Sequence, residues 1–172
     1  MIYIGIDPGL SGAVGIIDES YPGKLSSPGP DPQINVFDTP TVLVKAETTK
    51  RKYMVGAMAL LLKPYAGRQD VVVVLENVHS MPSQGVASSF SFGEGKGMWE
   101  GILGAFDIPF DLVSPQRWKK AIMADQGKEK SAARFKAAQL FPSLTSQLSR
   151  VKDDGRAEAI LMAEYGRRIR QK

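Results

Sequence analysis

The sequence predicts an α/β domain with a mixed central sheet flanked by helices. Three observations carry this reading. Ile2-Tyr3-Ile4-Gly5-Ile6 and Val71-Val72-Val73-Val74-Leu75 are apolar runs of β type, and the second lacks the polar alternation of a half-exposed strand. Val55, Met58, Ala59 and Leu62 recur at spacings of 3, 4 and 7, the signature of one helix face. Strand-like runs come first, then interleave with helical ones, and a helix closes the chain. A length of 172 residues fits one domain, 1–172, large enough for a substantial core.

Taken in order, residues 1–7 and 12–18 form a hairpin around the turn-rich Pro8-Gly9-Leu10-Ser11. Residues 20–33, rich in Pro, Gly and Ser, form a surface loop, and 34–37 a third strand. Residues 47–65 are helical, and 70–76 form a central strand buried on both faces. Residues 77–97 are polar and Gly/Ser-rich and read as a loop containing Phe90 and Phe92; a helix resumes at 98–106, with an earlier start left open. Residues 109–113 form a short strand. Ser114-Pro115 then opens a helix, with Ser as N-cap and Pro in the first turn. Further helices cover 128–140, stopped before Pro142, and 153–168.

Composition narrows the function classes. No apolar stretch approaches the roughly 20 residues that cross a bilayer, and the N-terminus reads as a strand rather than a leader. The chain has no cysteine, which excludes thiolate chemistry and fits a cytosolic protein; its lone histidine, His79, argues against a His-rich zinc site. Residues 117–172 carry 14 Lys/Arg against 6 Asp/Glu, a net of +8, whereas residues 1–116 carry a net of −4. One-ended positive charge is the footprint of a polyanion partner.

Acidic residues are concentrated where strands end. Asp7 closes the first strand, Glu76 closes the four-valine strand, and Asp153, Asp154 and Glu158 open the last helix. In open α/β sheets, sites form beside the carboxyl ends of strands. Clustered carboxylates repel one another and need positive charge to stay ionised, and Mg²⁺ takes oxygen ligands of this kind. Two such ions about 3.5 to 4 Å apart can activate water and stabilise the leaving oxygen of a phosphodiester, with Asp7 as the natural bridging ligand. The structural uses are also plain: Asp153 and Asp154 suit a helix start, and Trp118 suits the core.

Gly5-Ile6-Asp7-Pro8-Gly9, Leu75-Glu76-Asn77-Val78, Val113-Ser114-Pro115 with Lys119-Lys120-Ala121, and the acidic Ala-rich helix at 153–163 occur in that order. In this the chain resembles the RuvC group of Holliday-junction resolvases within the RNase H-like superfamily. Met81-Pro82-Ser83-Gln84-Gly85, Phe90-Ser91-Phe92-Gly93 and Pro115-Gln116-Arg117-Trp118-Lys119-Lys120 look most like its phage and chloroplast branch.

The resemblance implies an RNase H-like fold and a homodimer that cuts opposed strands of a four-way DNA junction with Mg²⁺ or Mn²⁺, leaving 5′-phosphate ends. No nucleotide cofactor and no membrane are involved. It also implies a role in recombination and repair, in a bacterial or phage-infected cytosol or in a plastid. Carried over by position, the catalytic residues are Asp7, Glu76, Asp153, Asp154, Glu158 and Lys130, with Asp7, Glu76, Asp154 and Glu158 as metal ligands. Lys119 and Lys130, eleven apart, match two phosphate-contacting residues; Lys120, Lys128 and Arg156 add DNA-binding charge. His79 and Gln84 match the region that reads the junction core, with Phe90 or Phe92 as a wedge.

One departure stands out. The bacterial pattern ends in acids three apart, whereas Glu158 follows Asp154 by four and Asp153 by five, so either aspartate can supply the remaining ligand. The rival readings are an RNase H-like ribonuclease acting on RNA or RNA–DNA hybrids, and a non-catalytic junction-binding architectural protein. An actin-like ATPase is disfavoured by the short chain and the lack of a P-loop.

Overall fold

The computed structural model describes residues 1–20, 32–45, 48–78, 85–127, 129 and 131–171, with Ser88 described through its backbone alone. Five strands form the main sheet: β1 (Ile2–Ile6), β2 (Ala13–Asp18), β3 (Gln33–Asp38), β6 (Val71–Glu76) and β7 (Phe110–Val113). Their spatial order is β3-β2-β1-β6-β7. β1 pairs antiparallel with β2 and β2 with β3, whereas β1 with β6 and β6 with β7 are parallel. The sheet is therefore mixed, as the sequence predicts.

Helices cover both faces of this sheet. α3 (Pro115–Ile122), α4 (Ala132–Leu140) and α5 (Asp154–Arg170) pack on one side, where Trp118, Ala137, Ile160 and Leu161 meet Tyr3, Ile17, Val72 and Val74. α1 (Val55–Leu62) and α2 (Val86–Ala105) cover the other, where Met58, Leu62, Trp99 and Leu103 meet Ile4, Ile6, Val73 and Leu75. β6 is buried along its whole length because consecutive side chains point into both layers.

One glycine pair sets the position of the last helix. Gly5 and Gly15 face each other in the β1–β2 ladder. A Cβ on Gly5 would collide with the backbone oxygen of Ala159, and one on Gly15 would lie 2.5 Å from Ile160 N. α5 thus rests backbone-to-backbone on the strands, which brings its first turn beside the end of β1.

Three sequence expectations are corrected. Residues 48–53 are not the start of a helix: β5 (Lys50–Tyr53) pairs antiparallel with β4 (Thr41–Val44) in a separate ribbon, and α1 begins only at Val55. The Thr-Val-Leu-Val run favours extended backbone, and Tyr53 is drawn inward to meet Pro8 and Ser91.

Residues 86–97 are helix rather than loop, because burial of Trp99 and Leu103 and the close seat of Gly95 against Pro8 O outweigh poor local propensity. The fourth helix starts at Ala132, four residues later than the expected start at 128. Most of the 20–33 loop lies outside the described residues.

Candidate active site

Parallel pairing of β1 with β6 places Ile6 beside Leu75, so Asp7 and Glu76 leave the sheet side by side at the carboxyl ends of neighbouring strands. Asp7 Oδ1 accepts a 3.1 Å hydrogen bond from Gly9 N–H. The turn is closed by Gly12, whose added Cβ would lie 2.9 Å from the Asp7 carboxyl carbon. A Cβ on Gly155, in the first turn of α5, would collide with the Ser11 backbone oxygen and would lie 3.2 Å from Asp7 Oδ2. Only glycine permits this close approach of the helix to the turn that carries Asp7.

Burial, reinforced by repulsion from Glu76, pushes the Asp7 carboxyl up to about 7, although the Gly9 N–H opposes the rise. Glu76 is 6% exposed. Burial raises its pKa as well, against the hydrogen bond that Trp118 Nε1 donates to Glu76 Oε1 at 2.9 Å.

Asp7, Asp154, Gly155 and Glu158 line one cavity of about 540 Å³ together with Ser11, Tyr53 and Phe92. Its two helical acids are already paired: Lys119 Nζ lies 2.6 Å from Glu158 Oε1 and Arg134 Nε 2.7 Å from Asp154 Oδ1. Lys119 also stands 5.1 Å from the centroid of the Trp118 ring. Trp118 and Lys119, adjacent on α3, therefore each hold one acid of the cluster.

Asp153 is placed differently. It is 2% exposed, and its carboxylate accepts hydrogen bonds from the Arg150 backbone and guanidinium. It caps the 3₁₀ turn that precedes α5 and does not line the cavity that holds Asp7, Asp154 and Glu158. Arg156 is committed to Asp38 at the end of β3 through two bonds of 2.6 and 2.7 Å. Lys120 is exposed on α3. Phe92 faces the cavity, while Phe90 projects outward from α2, 73% exposed. His79, Gln84, Lys128 and Lys130 lie outside the described residues.

As they stand, no three Asp, Glu, His or Cys side chains among the described residues converge closely enough to hold an ion. Asp154 and Glu158 are turned onto Arg134 and Lys119. The donors nonetheless suit a hard divalent cation. Asp7 and Glu76 are adjacent carboxylates with raised pKa values, and among the described residues neither forms an ion pair. Such a pair is ionised at neutral pH most readily beside added positive charge.

Searches with known proteins add one kind of match. No family model and no curated protein matches the sequence. Among solved structures, Thermus thermophilus RuvC superposes with a TM-score of 0.54 at 14% identity, over 98% of this chain and 96% of that one. T. thermophilus RuvC in complex with Holliday junction substrate superposes with a TM-score of 0.53 at 12% identity, over the same shares. The chain has the RuvC fold. The sheet order, the helices on both faces and the acids at the ends of β1 and β6 fall within an architecture that spans nearly the whole of both chains.

Three contributors to the site are not among the sequence candidates. Trp118 reads as core, which it is, but its buried indole N–H needed an acceptor and the Glu76 carboxylate supplies it. Tyr53 was hidden by the helix expected at 47–65. Arg134 carried no signal beyond charge.

Proposed function

We propose that the chain is a metal-dependent, structure-selective DNA endonuclease that resolves four-way junctions by paired phosphodiester cleavage as a homodimer. The observation that carries this reading is the convergence of Asp7, Asp154 and Glu158 on one cavity, with Glu76 beside Asp7, in the RuvC fold. One of the similar structures is a RuvC bound to Holliday junction substrate, which supports branched DNA as the substrate here.

Asp7, Glu76, Asp154 and Glu158 would hold Mg²⁺ or Mn²⁺, which supplies water activation and charge stabilisation at the scissile phosphate. The chain's own groups prepare that chemistry. Trp118 fixes one oxygen of Glu76 beside Asp7. Gly155 and Gly12 wall in the Asp7 carboxylate, limiting its rotamers and the water around it. Lys119 and Arg134 neutralise Glu158 and Asp154 in the metal-free protein and become available to DNA phosphates when those acids are engaged elsewhere.

The +8 charge of residues 117–172 supports a polyanionic substrate. A homodimer is supported by the outer face of α2, where Gly93, Gly97, Gly101 and Gly104 share one side and an added Cβ would meet nothing within 4 Å. Twofold symmetry would present two identical sites to opposed strands.

The test is incubation with a labelled immobile four-way junction, a linear duplex and an RNA–DNA hybrid, with and without Mg²⁺ or Mn²⁺. Metal-dependent, symmetric nicks in the junction alone are expected. Cleavage of the hybrid would make the chain a ribonuclease, and tight junction binding without cleavage would make it an architectural protein.

A further inference from the structure

The turn that follows Asp7 borders a second hollow. Leu10, Ser11 and Gly12 line both this hollow, of about 290 Å³, and the cavity that holds the acids, so the turn forms a wall between them. Arg51 of the β5 ribbon, Lys152 of the 3₁₀ turn before α5, and Asp38 and Thr39 at the end of β3 supply the rest of its lining, with Asp153.

Two features of this hollow are left unexplained by the folding of the chain. The first is charge. Its two acids are already satisfied: Arg156 holds Asp38 through bonds of 2.6 and 2.7 Å, and Arg150 grips Asp153 at 2.9 Å. Arg51 and Lys152 are left over, since among the described residues neither forms an ion pair. Arg51 Nη1 donates to Ser11 Oγ at 3.2 Å and to Leu10 O at 3.5 Å, which leaves most of the guanidinium's N–H donors unused among the described residues. The second feature is Thr39. It is 3% exposed, its N–H is fixed to Gly12 O at 2.9 Å, and its hydroxyl has no hydrogen-bond partner among the described residues. A buried hydroxyl left unpaired destabilises the fold until an acceptor reaches it.

We propose that this hollow seats one backbone phosphate of the bound DNA, with Arg51 and Lys152 supplying the charge and the Thr39 hydroxyl a hydrogen bond. A phosphodiester offers two unesterified oxygens, which accept from a guanidinium, an ammonium and a hydroxyl together. Two uncompensated positive charges disfavour a metal ion in the same place. The donors meet no base edge, so the site fixes the strand's position and reads no sequence. Because Arg51 also holds Leu10 and Ser11, a phosphate seated here is tied through one side chain to the turn that carries Asp7. The inference rests on the DNA-binding reading above and gives it a contact outside the acidic cavity.

The test reads metal-free binding of a labelled immobile junction over a range of salt, with Tm measured on the same proteins. Thr39→Val keeps the branched shape and removes the hydroxyl. Its junction affinity should fall about tenfold, the loss of one hydrogen bond to a charged group, while its Tm equals or exceeds the parent's. Lys152→Ala, at an exposed position, should lower the salt slope by about 0.9, one duplex phosphate contact, and Lys152→Arg should restore it. A linear duplex should show the same two losses, because a backbone phosphate carries no branch.

Parent affinity and parent slope in both Thr39→Val and Lys152→Ala would overturn the site, even in a protein that cuts junctions. A lowered Tm with unchanged affinity in Thr39→Val would also overturn it, by making the hydroxyl structural. So would stabilisation of the parent by inorganic phosphate that Thr39→Val abolishes, if DNA binding is unaffected, since the hollow would then belong to a free anion. Losses that follow Thr39 and Lys152 in a protein that binds junctions but never cuts them would uphold the phosphate site and sink the nuclease reading alone.

Discussion

The indole Nε1 of Trp118 donates a 2.9 Å hydrogen bond to Oε1 of Glu76, 42 residues earlier in the chain. Both groups are buried, so the bond is formed away from competing water, where losing it leaves a carboxylate oxygen unsatisfied. Trp118→Phe keeps the packing and removes the donor. Partners that orient a ligand typically affect metal affinity or activity by about 10- to 100-fold. Trp118→Phe is therefore expected to raise the Mn²⁺ concentration for half-maximal cleavage by that order while junction binding stays near the parent value. A metal titration at fixed junction concentration checks it, and an unchanged midpoint would reduce Trp118 to packing.

The raised pKa of Asp7 has a consequence for stability. A carboxyl whose folded value is about 7 holds its proton where the unfolded chain has released it, between about pH 4 and about pH 7. In that window the native state binds more protons than the unfolded one, so stability falls as pH rises. Glu76, raised by burial, adds in the same direction. Asp38, Asp70 and Asp153, lowered by Arg156, Arg68 and Arg150, act oppositely and only below about pH 4. Metal-free protein is thus expected to melt at a higher temperature at pH 5 than at pH 7.5, and Asp7→Asn to flatten that difference. Mg²⁺ should stabilise the parent chain more at pH 7.5 than at pH 5, because it binds the ionised acids. Calorimetry across pH measures all three.

The seat of α5 depends on the Gly5–Gly15 pair. A methyl group at Gly15 would press on the backbone of Ile160, which cannot step aside as a flexible side chain would. Overpacking usually costs about 1–3 kcal/mol, and a backbone clash belongs at or above the top of that range. Gly15→Ala should lower Tm by roughly 6–12 °C, taking about 3 kcal/mol at 2–4 °C each. It should also impair cleavage more than junction binding, because Asp154 and Glu158 move with the helix. A Tm within a degree or two of the parent would mean that α5 is not seated on this pair.

The framework was legible in the sequence because its signals are strong and local. The four-valine run gave β6, Ser114-Pro115 gave the start of α3 through a side-chain cap that the structure forms at 3.4 Å, and Asp7 and Glu76 were read at strand ends. The start of α2 was not legible, since its glycines and serines oppose a helix that exists through the burial of Trp99 and Leu103. The β4–β5 ribbon was lost beneath a helical spacing that is real only from Val55 onward. Partner choice inside the site was equally hidden: that Arg150 takes Asp153 while Arg134 takes Asp154 depends on how the segment before α5 turns, which residue types alone do not encode.

The outer glycines of α2 lead to a prediction about assembly. Interior helical glycines each cost about 1 kcal/mol relative to alanine, and Gly93, Gly97, Gly101 and Gly104 fill no space within the monomer. Gly97→Leu should leave the monomer folded with Tm unchanged or raised. It should also shift sedimentation from dimer to monomer and turn paired junction cuts into single nicks. A dimer of parent affinity would move the interface off this face.

Asp153 and Asp154 separate into two roles that mutation can distinguish. Asp154 lines the cavity with Asp7, and its partner Arg134 comes from another helix. Asp153 is buried, accepts three hydrogen bonds from Arg150 and closes the turn that launches α5. Asp154→Asn removes a carboxylate proposed to hold the metal without uncapping anything, so cleavage should fall by orders of magnitude while Tm holds and junction affinity is retained or improved. Asp153→Asn keeps the side-chain shape but loses the charge that Arg150 grips, at about 1–3 kcal/mol. Its Tm should drop by several degrees, and its cleavage, measured well below that Tm, should stay within about tenfold of the parent. The opposite pattern, with Asp153→Asn stable but inactive and Asp154→Asn active, would place the fourth acid of the site at 153.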